Sequence, residues 1–205
     1  EGLNRISLED DHIVIGCAVT HTQIVKDQFI IRCGTCLAES CGVIGGPQVR
    51  NVATLAGNVA HAMPAGDGSI GLLALGAEVE VVDAAGRRWM PLSEAYIGPG
   101  KSAIDHHRAL LTRLRFRPTE MGEASAYKRI MRPQGVALPM LAMAVRLQLG
   151  DDDTISSVRI GLGPAGPVPY LAETAMDLLR GGPAEARQFE AAAEAVLASA
   201  TLRTS

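Results

Sequence analysis

Ile44-Gly-Gly-Pro-Gln-Val-Arg-Asn-Val-Ala-Thr-Leu-Ala-Gly-Asn-Val-Ala-His-Ala-Met-Pro-Ala-Gly-Asp67 is the stretch on which the reading of this chain turns. It is rich in Gly, Ala, Asn and Pro and poor in large side chains, and helical periodicity is lost between Gly45 and Gly68. Sequence of this kind brings backbone close to a neighbour, because a missing side chain lets amides approach. Within it, Thr54-Leu55-Ala56-Gly57-Asn58 offers a hydroxyl, consecutive backbone amides and a side-chain amide around a small residue and a glycine. That set suits an anionic phosphate or the polar edge of a ring. Asp67 is an acceptor suited to sugar-type hydroxyls. On composition alone an ordinary Gly-rich surface loop fits equally well, since short glycine motifs recur by chance.

Working outward, Ile13 to Gly16 reads as a short buried strand after an acidic turn at Glu9 to Asp11. Thr20 is placed to cap a helix carrying Ile24, Val25 and Phe29 on its apolar stripe. A second helical stretch runs from Cys33 to Val43 and stops at Gly45-Gly46-Pro47. Beyond the small-residue stretch come a short helix at Ile70 to Leu75 and strands at Ala77 to Val82 and Leu110 to Phe116. In the last of these, Leu110, Thr112, Leu114 and Phe116 alternate with Leu111, Arg113 and Arg115. Pro118 to Gly122, polar and turn-rich, is the expected boundary between two units, residues 1–117 and 122–205. The second unit reads as strands at Ser125 to Ile130, Leu138 to Leu149 and Ile155 to Gly163. Helices at Tyr170 to Leu179 and Ala184 to Ala200 follow, parted by Gly181-Gly182-Pro183. Strands first and helices after predict an α+β fold with an antiparallel meander covered on one face by helices.

The chain has 205 residues, 47% apolar and 20% charged, with a formal net charge of -3 and scattered basic residues. That balance describes a globular protein and argues against nucleic acid or an anionic membrane as partner. The longest apolar run, Val136 to Leu149, is interrupted by Arg146 and Gln148, so no membrane span is expected. No leader is visible before Glu1, and four cysteines in a chain of this length are not a disulfide framework, which favours the cytoplasm.

The quoted stretch also resembles the second flavin-binding motif of the molybdenum hydroxylase flavoprotein subunits, as in xanthine dehydrogenase and CO dehydrogenase. Pro47 to Asn51, Thr54 to Asn58 and Ala62 to Asp67 match that motif in order and spacing. The resemblance continues through Thr20-His21, Leu72 to Ala77, Tyr127-Lys128 and Arg132, and at Leu202 to Ser205 it meets the point where the family continues. It implies a PCMH-type FAD-binding domain lacking its N-terminal βαβ part, followed by the family's small C-terminal domain, with both ends of the family pattern incomplete. It further implies FAD as cofactor, held by Thr54, Leu55, Ala56, Gly57 and Asn58 against pyrophosphate and flavin. Asp67 would meet the cofactor's hydroxyls, Ile44, Gly45 and Ala53 would lie near the ring system, and Leu111 and Lys128 would approach the cofactor. The implied partners are a small subunit with 2Fe-2S clusters and a large molybdopterin subunit, with NAD+ or another acceptor receiving the electrons. Two departures stand out: Ala56-Gly57 replaces a double glycine, and Gly135 replaces an aspartate.

No Ser-His-Asp spacing or paired carboxylates mark a catalytic site, so the chemistry is expected from the cofactor. Cys33-x2-Cys36-x4-Cys41 has some metal-site character, but one helix face does not carry all three thiols, and no metal site is expected. His61, His106 and His107 read as loop histidines. Two other classes compete: a stand-alone PCMH-type flavin reductase, which needs a catalytic serine or glutamate near the flavin, and a scaffold subunit without flavin.

Overall fold

The computed structural model describes residues 2–132, 138–150 and 152–201. Gly135 and Leu202 to Ser205 lie outside the described residues. The first part opens with a hairpin, β1 (Ile6–Glu9) and β2 (His12–Gly16), whose turn residues Asp10 and Asp11 both take positive φ. Helices α1 (His21–Lys26), α2 (Gln28–Cys33), α3 (Thr35–Gly42), α4 (Pro47–Arg50), α5 (Leu55–Ala60) and α6 (Asp67–Ala74) follow. Strands β3 (Glu78–Asp83), β4 (Gly86–Pro91), β5 (Tyr96–Gly98), β6 (Lys101–Ser102) and β7 (Ala109–Phe116) complete it. The second part comprises β8 (Glu123–Met131), β9 (Pro139–Leu149), β10 (Ile155–Gly163), β11 (Tyr170–Leu171), α7 (Glu173–Leu179) and α8 (Ala186–Ser199).

The fold is a mixture of helix and antiparallel sheet. One sheet has the order β1-β2-β7-β3-β4, the other β11-β10-β9-β8, and β5 pairs with β6 as a small ribbon. On the core face of the first sheet, Ile13, Ile15, Val79, Leu114 and Phe116 are fully buried against the helices. The strand β1 escaped the sequence reading because it is an edge strand with only Ile6 and Ser7 half-buried, so no alternation betrays it. The two turns α4 and α5 correct the expectation that helix is absent after Gly45: four and six residues are too few to display a 3.6-residue period. Tyr170 and Leu171, read as the start of a helix, pair instead with Leu162 and Gly161.

Capping explains the helix starts. Thr20 forms a capping box with Gln23, and the Asp27 carboxylate accepts from the N–H groups of Phe29 and Ile30, which splits one expected helix into α1 and α2. His21, at the first turn of α1, is 1% exposed, and its Nδ1 has no hydrogen-bond partner among the described residues. Burial pushes its imidazole down to about 4, and the charge of Arg50 adds to the shift.

A register shift sits between Glu80 and Val81 where β3 pairs with β7. It makes Thr112 the extra residue, and the side-chain alternation changes phase across it. Leu111 therefore packs on the core, while Leu110 is 67% exposed, opposite to the simple alternation expected from sequence.

The second sheet carries α7 on one face, with α8 packed on α7. Its opposite face lies on α3 and α6 of the first part. Close approach on that side depends on glycine. A Cβ at Gly161 would stand 2.7 Å from the Ile70 carbonyl oxygen, and one at Gly163 would stand 2.3 Å from that of Pro64.

Two outcomes are expected. Gly161→Ala forces β10 off α6 and destabilises the protein by about 1–3 kcal/mol, seen as a melting temperature lower by several degrees. Gly98→Ala, where the nearest atom to a new Cβ is Lys101 Cδ at 3.9 Å, leaves it unchanged. The second outcome concerns pH. Native His21 refuses a proton that the unfolded chain accepts at pH near 6.5, so its contribution is complete above that pH and is lost as pH falls towards 4. Urea titrations at pH 7 and 4.5 should show a loss, on the order of 2–3 kcal/mol from this group, that His21→Gln removes.

Candidate functional site

Two threonines set the geometry of the site. Thr20 and Thr54 face each other in an antiparallel bridge, with His21 N–H donating to the Ala53 carbonyl at 3.1 Å and Leu55 N–H to that of Val19 at 3.2 Å. The Thr54 hydroxyl caps α5 by accepting from Gly57 N–H at 3.0 Å. With Leu55 and Gly57 so engaged, Ala56 N–H is the first-turn amide of α5 that makes no hydrogen bond among the described residues.

Asn58 is divided in its duties. Its Oδ1 accepts from Ser69 N–H at 3.2 Å and so caps α6, whose own N-cap residue, Gly66, has no side chain to do it. The Asn58 NH2 group has no partner among the described residues. This long-range cap also explains why α6 begins at Asp67, three residues before the sequence reading placed it.

The small residues that drew attention in the sequence are spent largely on packing α5 against α6. A Cβ at Gly68 would stand 2.7 Å from Leu55 Cδ1, and one at Gly66 would stand 3.1 Å from Asn58 Oδ1. Gly45 takes φ +51°, and Arg50 Nη1 donates to the carbonyls of both Ile44 and Gly45 at 2.9 Å. Arg50 thus fixes the Ile44–Gly45 turn. Ala53 stands half-buried beside the threonine bridge.

Ala56, Gly57 and Ala60 form one wall of an apolar cleft of about 840 Å³ whose other walls include Ile97, Leu110 and Leu111. Lys128 does not line this cleft. It lies exposed on β8 beside a second cavity, of about 550 Å³, shared with Glu39, Val43, Tyr127 and Met131. Asp67 lies at the first turn of α6 in a buried polar cluster. It is 5% exposed, its Oδ1 accepts from the Tyr127 phenol, and its Oδ2 from Arg129 Nη1 at 3.0 Å. Burial raises its carboxyl above the usual range, against the pull of Tyr127 and Arg129. Sequence reading missed Tyr127 and Arg129 as its partners; the available signal was that a buried aspartate requires hydrogen-bonding partners.

Among the described residues, no group of three His, Cys, Asp or Glu side chains is arranged to hold a metal. Cys36 and Cys41 are buried; burial pushes the Cys36 thiol up to about 12 and raises that of Cys41. The one serine lining the apolar cleft, Ser102, donates to the Ala95 carbonyl and accepts from Ile104 N–H, so it is bound up in the β5–β6 ribbon. No described helix is long and apolar enough to cross a membrane.

Comparison with known proteins places this geometry. The FAD binding domain of molybdopterin dehydrogenase matches residues 1–118, and the CO dehydrogenase flavoprotein C-terminal domain matches residues 125–205. The chain is 30% identical to the xanthine dehydrogenase FAD-binding subunit of Escherichia coli over 96% of its own length and 67% of the relative's. It is 31% identical to the nicotine 6-hydroxylase medium subunit of Paenarthrobacter nicotinovorans over 95% and 67%. It spans about two thirds of the length of these relatives. In structure it matches carbon monoxide dehydrogenase from Hydrogenophaga pseudoflava with a TM-score of 0.93 and 25% identity, over 99% of this chain and 70% of that one. By both domain matches and a fold shared along nearly its whole length, the chain belongs to the FAD-binding subunit family of the molybdopterin-dependent dehydrogenases, as an oxidoreductase component.

Proposed function

We propose that the chain is the electron-relaying subunit of a molybdenum hydroxylase, passing electrons from 2Fe-2S clusters on a small partner through FAD to NAD+ or a comparable acceptor. A large molybdopterin partner would carry out substrate hydroxylation, and the assembly would work in the cytoplasm. The division at Pro118 to Gly122 would separate the FAD-binding unit from the C-terminal one. The observation that carries the reading is the pair of unspent donors on α5, Ala56 N–H and the Asn58 amide, on a helix that also walls an apolar cleft. Its volume lies within the roughly 300–1,000 Å³ of ligand clefts.

Bound FAD would supply what no side chain here has, a ring that takes electrons singly and yields them in pairs. The chain's own residues hold and shield it. Ala56 N–H and the Asn58 amide would donate to its phosphate or polar edge, while Leu111 and Ile97 exclude water from the cleft. Ala56, where relatives of this motif have glycine, is buried in the core, and the adjoining Gly57 is exposed. Ile44, Gly45, Ala53 and Lys128 would stand nearer the ring, with Arg50 holding the Ile44–Gly45 turn in place.

Asn58→Asp tests the cofactor assignment cleanly. The variant keeps the oxygen that caps α6, so the melting temperature should stay within about 2 °C, less than a change of about 1 kcal/mol would produce in a chain of this length. It replaces the NH2 donor with charge beside a phosphate, costing about 1–4 kcal/mol, so FAD affinity should fall about fivefold or more. Unchanged flavin occupancy would count against the site. For the acceptor, the whole complex reduced by dithionite and mixed with NAD+ should show prompt recovery of the oxidised flavin absorbance; no recovery would exclude NAD+.

A further inference from the structure

A cavity of about 650 Å³ opens at the C-terminal end of α6, the end away from Asn58, where the two sheets meet. Four arginines line it: Arg115 and Arg117 at the end of β7, Arg146 on β9 and Arg159 on β10. Two of them are matched, for Arg115 Nε donates to Glu78 Oε2 at 2.6 Å and Arg146 Nη2 donates to Glu123 Oε2. Arg117 and Arg159 make no ion pair among the described residues. Arg159 Nε and Nη2 donate to the Leu73 carbonyl, while its Nη1 has no hydrogen-bond partner among the described residues.

The setting of Arg159 is unfavourable for a cation. It is half-buried, and Arg146 stands directly opposite it across β10 and β9, with both side chains turned to the end of α6. Like charges paired across strands repel, and a charge withdrawn from water without a counter-charge costs free energy. Burial loosens the hold of the Arg159 guanidinium on its proton; Glu173 opposes this without forming an ion pair, and Arg146 adds to it. The carbonyl dipoles at the end of α6 offset part of that cost, and a full negative charge in the cavity would offset more.

We propose that this cavity binds a phosphate group, held as a doubly charged oxyanion between the guanidinium groups of Arg117 and Arg159. Two unmatched charges on the protein suit two on the ligand, and the planar fork of arginine donates paired N–H groups to phosphate oxygens. Ser93 lines the same cavity and adds a hydroxyl donor. Inorganic phosphate and the phosphate of a small monoester are two sources of the same group. Bound there, it would tie the end of β7 to β10 by charge, beside the point where the chain leaves one sheet for the other.

Equilibrium dialysis of the intact complex, freed of phosphate, against radiolabelled inorganic phosphate tests the site. One phosphate should bind per subunit with a dissociation constant of about 1 mM or tighter, the strength of two charge-assisted hydrogen bonds. Sulfate should displace it, and chloride at equal ionic strength should not. Arg117→Gln and Arg159→Gln should each weaken binding about tenfold or more, whereas Arg187→Gln, exposed on α8, should leave it unchanged. Glycerol phosphate distinguishes the sources within a confirmed site: displacement equal to that by unlabelled phosphate means the free ion, and displacement about tenfold stronger means a monoester. The site is refuted if the wild-type complex retains no label at about 10 mM phosphate, or if either variant binds as wild type does. Loosened subunit assembly in a variant that still binds phosphate would make the cavity a seat for a partner's carboxylate instead. Should Arg159→Gln fail to fold, Arg117→Gln, at an exposed position, decides alone.

Discussion

The burial of α6 is the constraint on which the rest of the structure depends. All eight of its residues are buried, so water has little access to the free amides and carbonyls at its ends. Protein groups from distant segments do so instead. Asn58 caps the first turn, while Arg159 Nε and Nη2 donate to the Leu73 carbonyl at 3.3 Å near the last. Arg146 reaches the Leu75 carbonyl and also holds those of Arg117 and Pro118, at 3.0 and 3.2 Å, where the chain passes from one sheet to the other. One short helix is thus held by α5 at its start and by the second sheet at its end.

Close packing around α6 accounts for much of the glycine in this chain. A Cβ at Gly71 would meet Ser40 Oγ at 2.6 Å, and those at Gly161 and Gly163 would press on the backbone or side chain of Ile70. Interiors packed this densely transmit displacement rather than absorb it. The candidate cofactor helix α5 rests on α6 through Leu55 and Asn58, so its two unspent donors are placed by the same contacts that join the sheets. Preorganisation of this kind is what a flavin site requires, since donors already in place lose little freedom on binding.

Electrostatics outside the site have a structural part. Glu80, buried under the first sheet's polar face, accepts from Arg113 Nη2 at 2.6 Å and from the Thr112 hydroxyl at 2.6 Å, which holds its carboxyl below the usual range. Trp89 lies beneath the guanidinium groups of Arg113 and Arg115, at 5.4 and 4.1 Å from its ring centre. This ladder stiffens β7, the strand whose register shift turns Leu111 toward the core.

Sequence alone determined the identity of most elements, the cap at Thr20, the α+β order and the motif from Pro47 to Asp67 that marks the family, because each depends on residues close together in the chain. It also pointed to Thr54, which caps α5 three residues away. Only the tertiary structure decided which groups in that motif are free. Asn58 turns its oxygen to Ser69, Asp67 accepts from Tyr127 and Arg129, and Gly66 and Gly68 make room for α5. Nor could alternation along β7 show that Leu111 faces inward, since the phase is changed by a pairing irregularity with β3. Hydrogen bonds and close contacts between distant segments exist only once the chain has folded, and they settle how the donors, acceptors and small residues named by the motif are used.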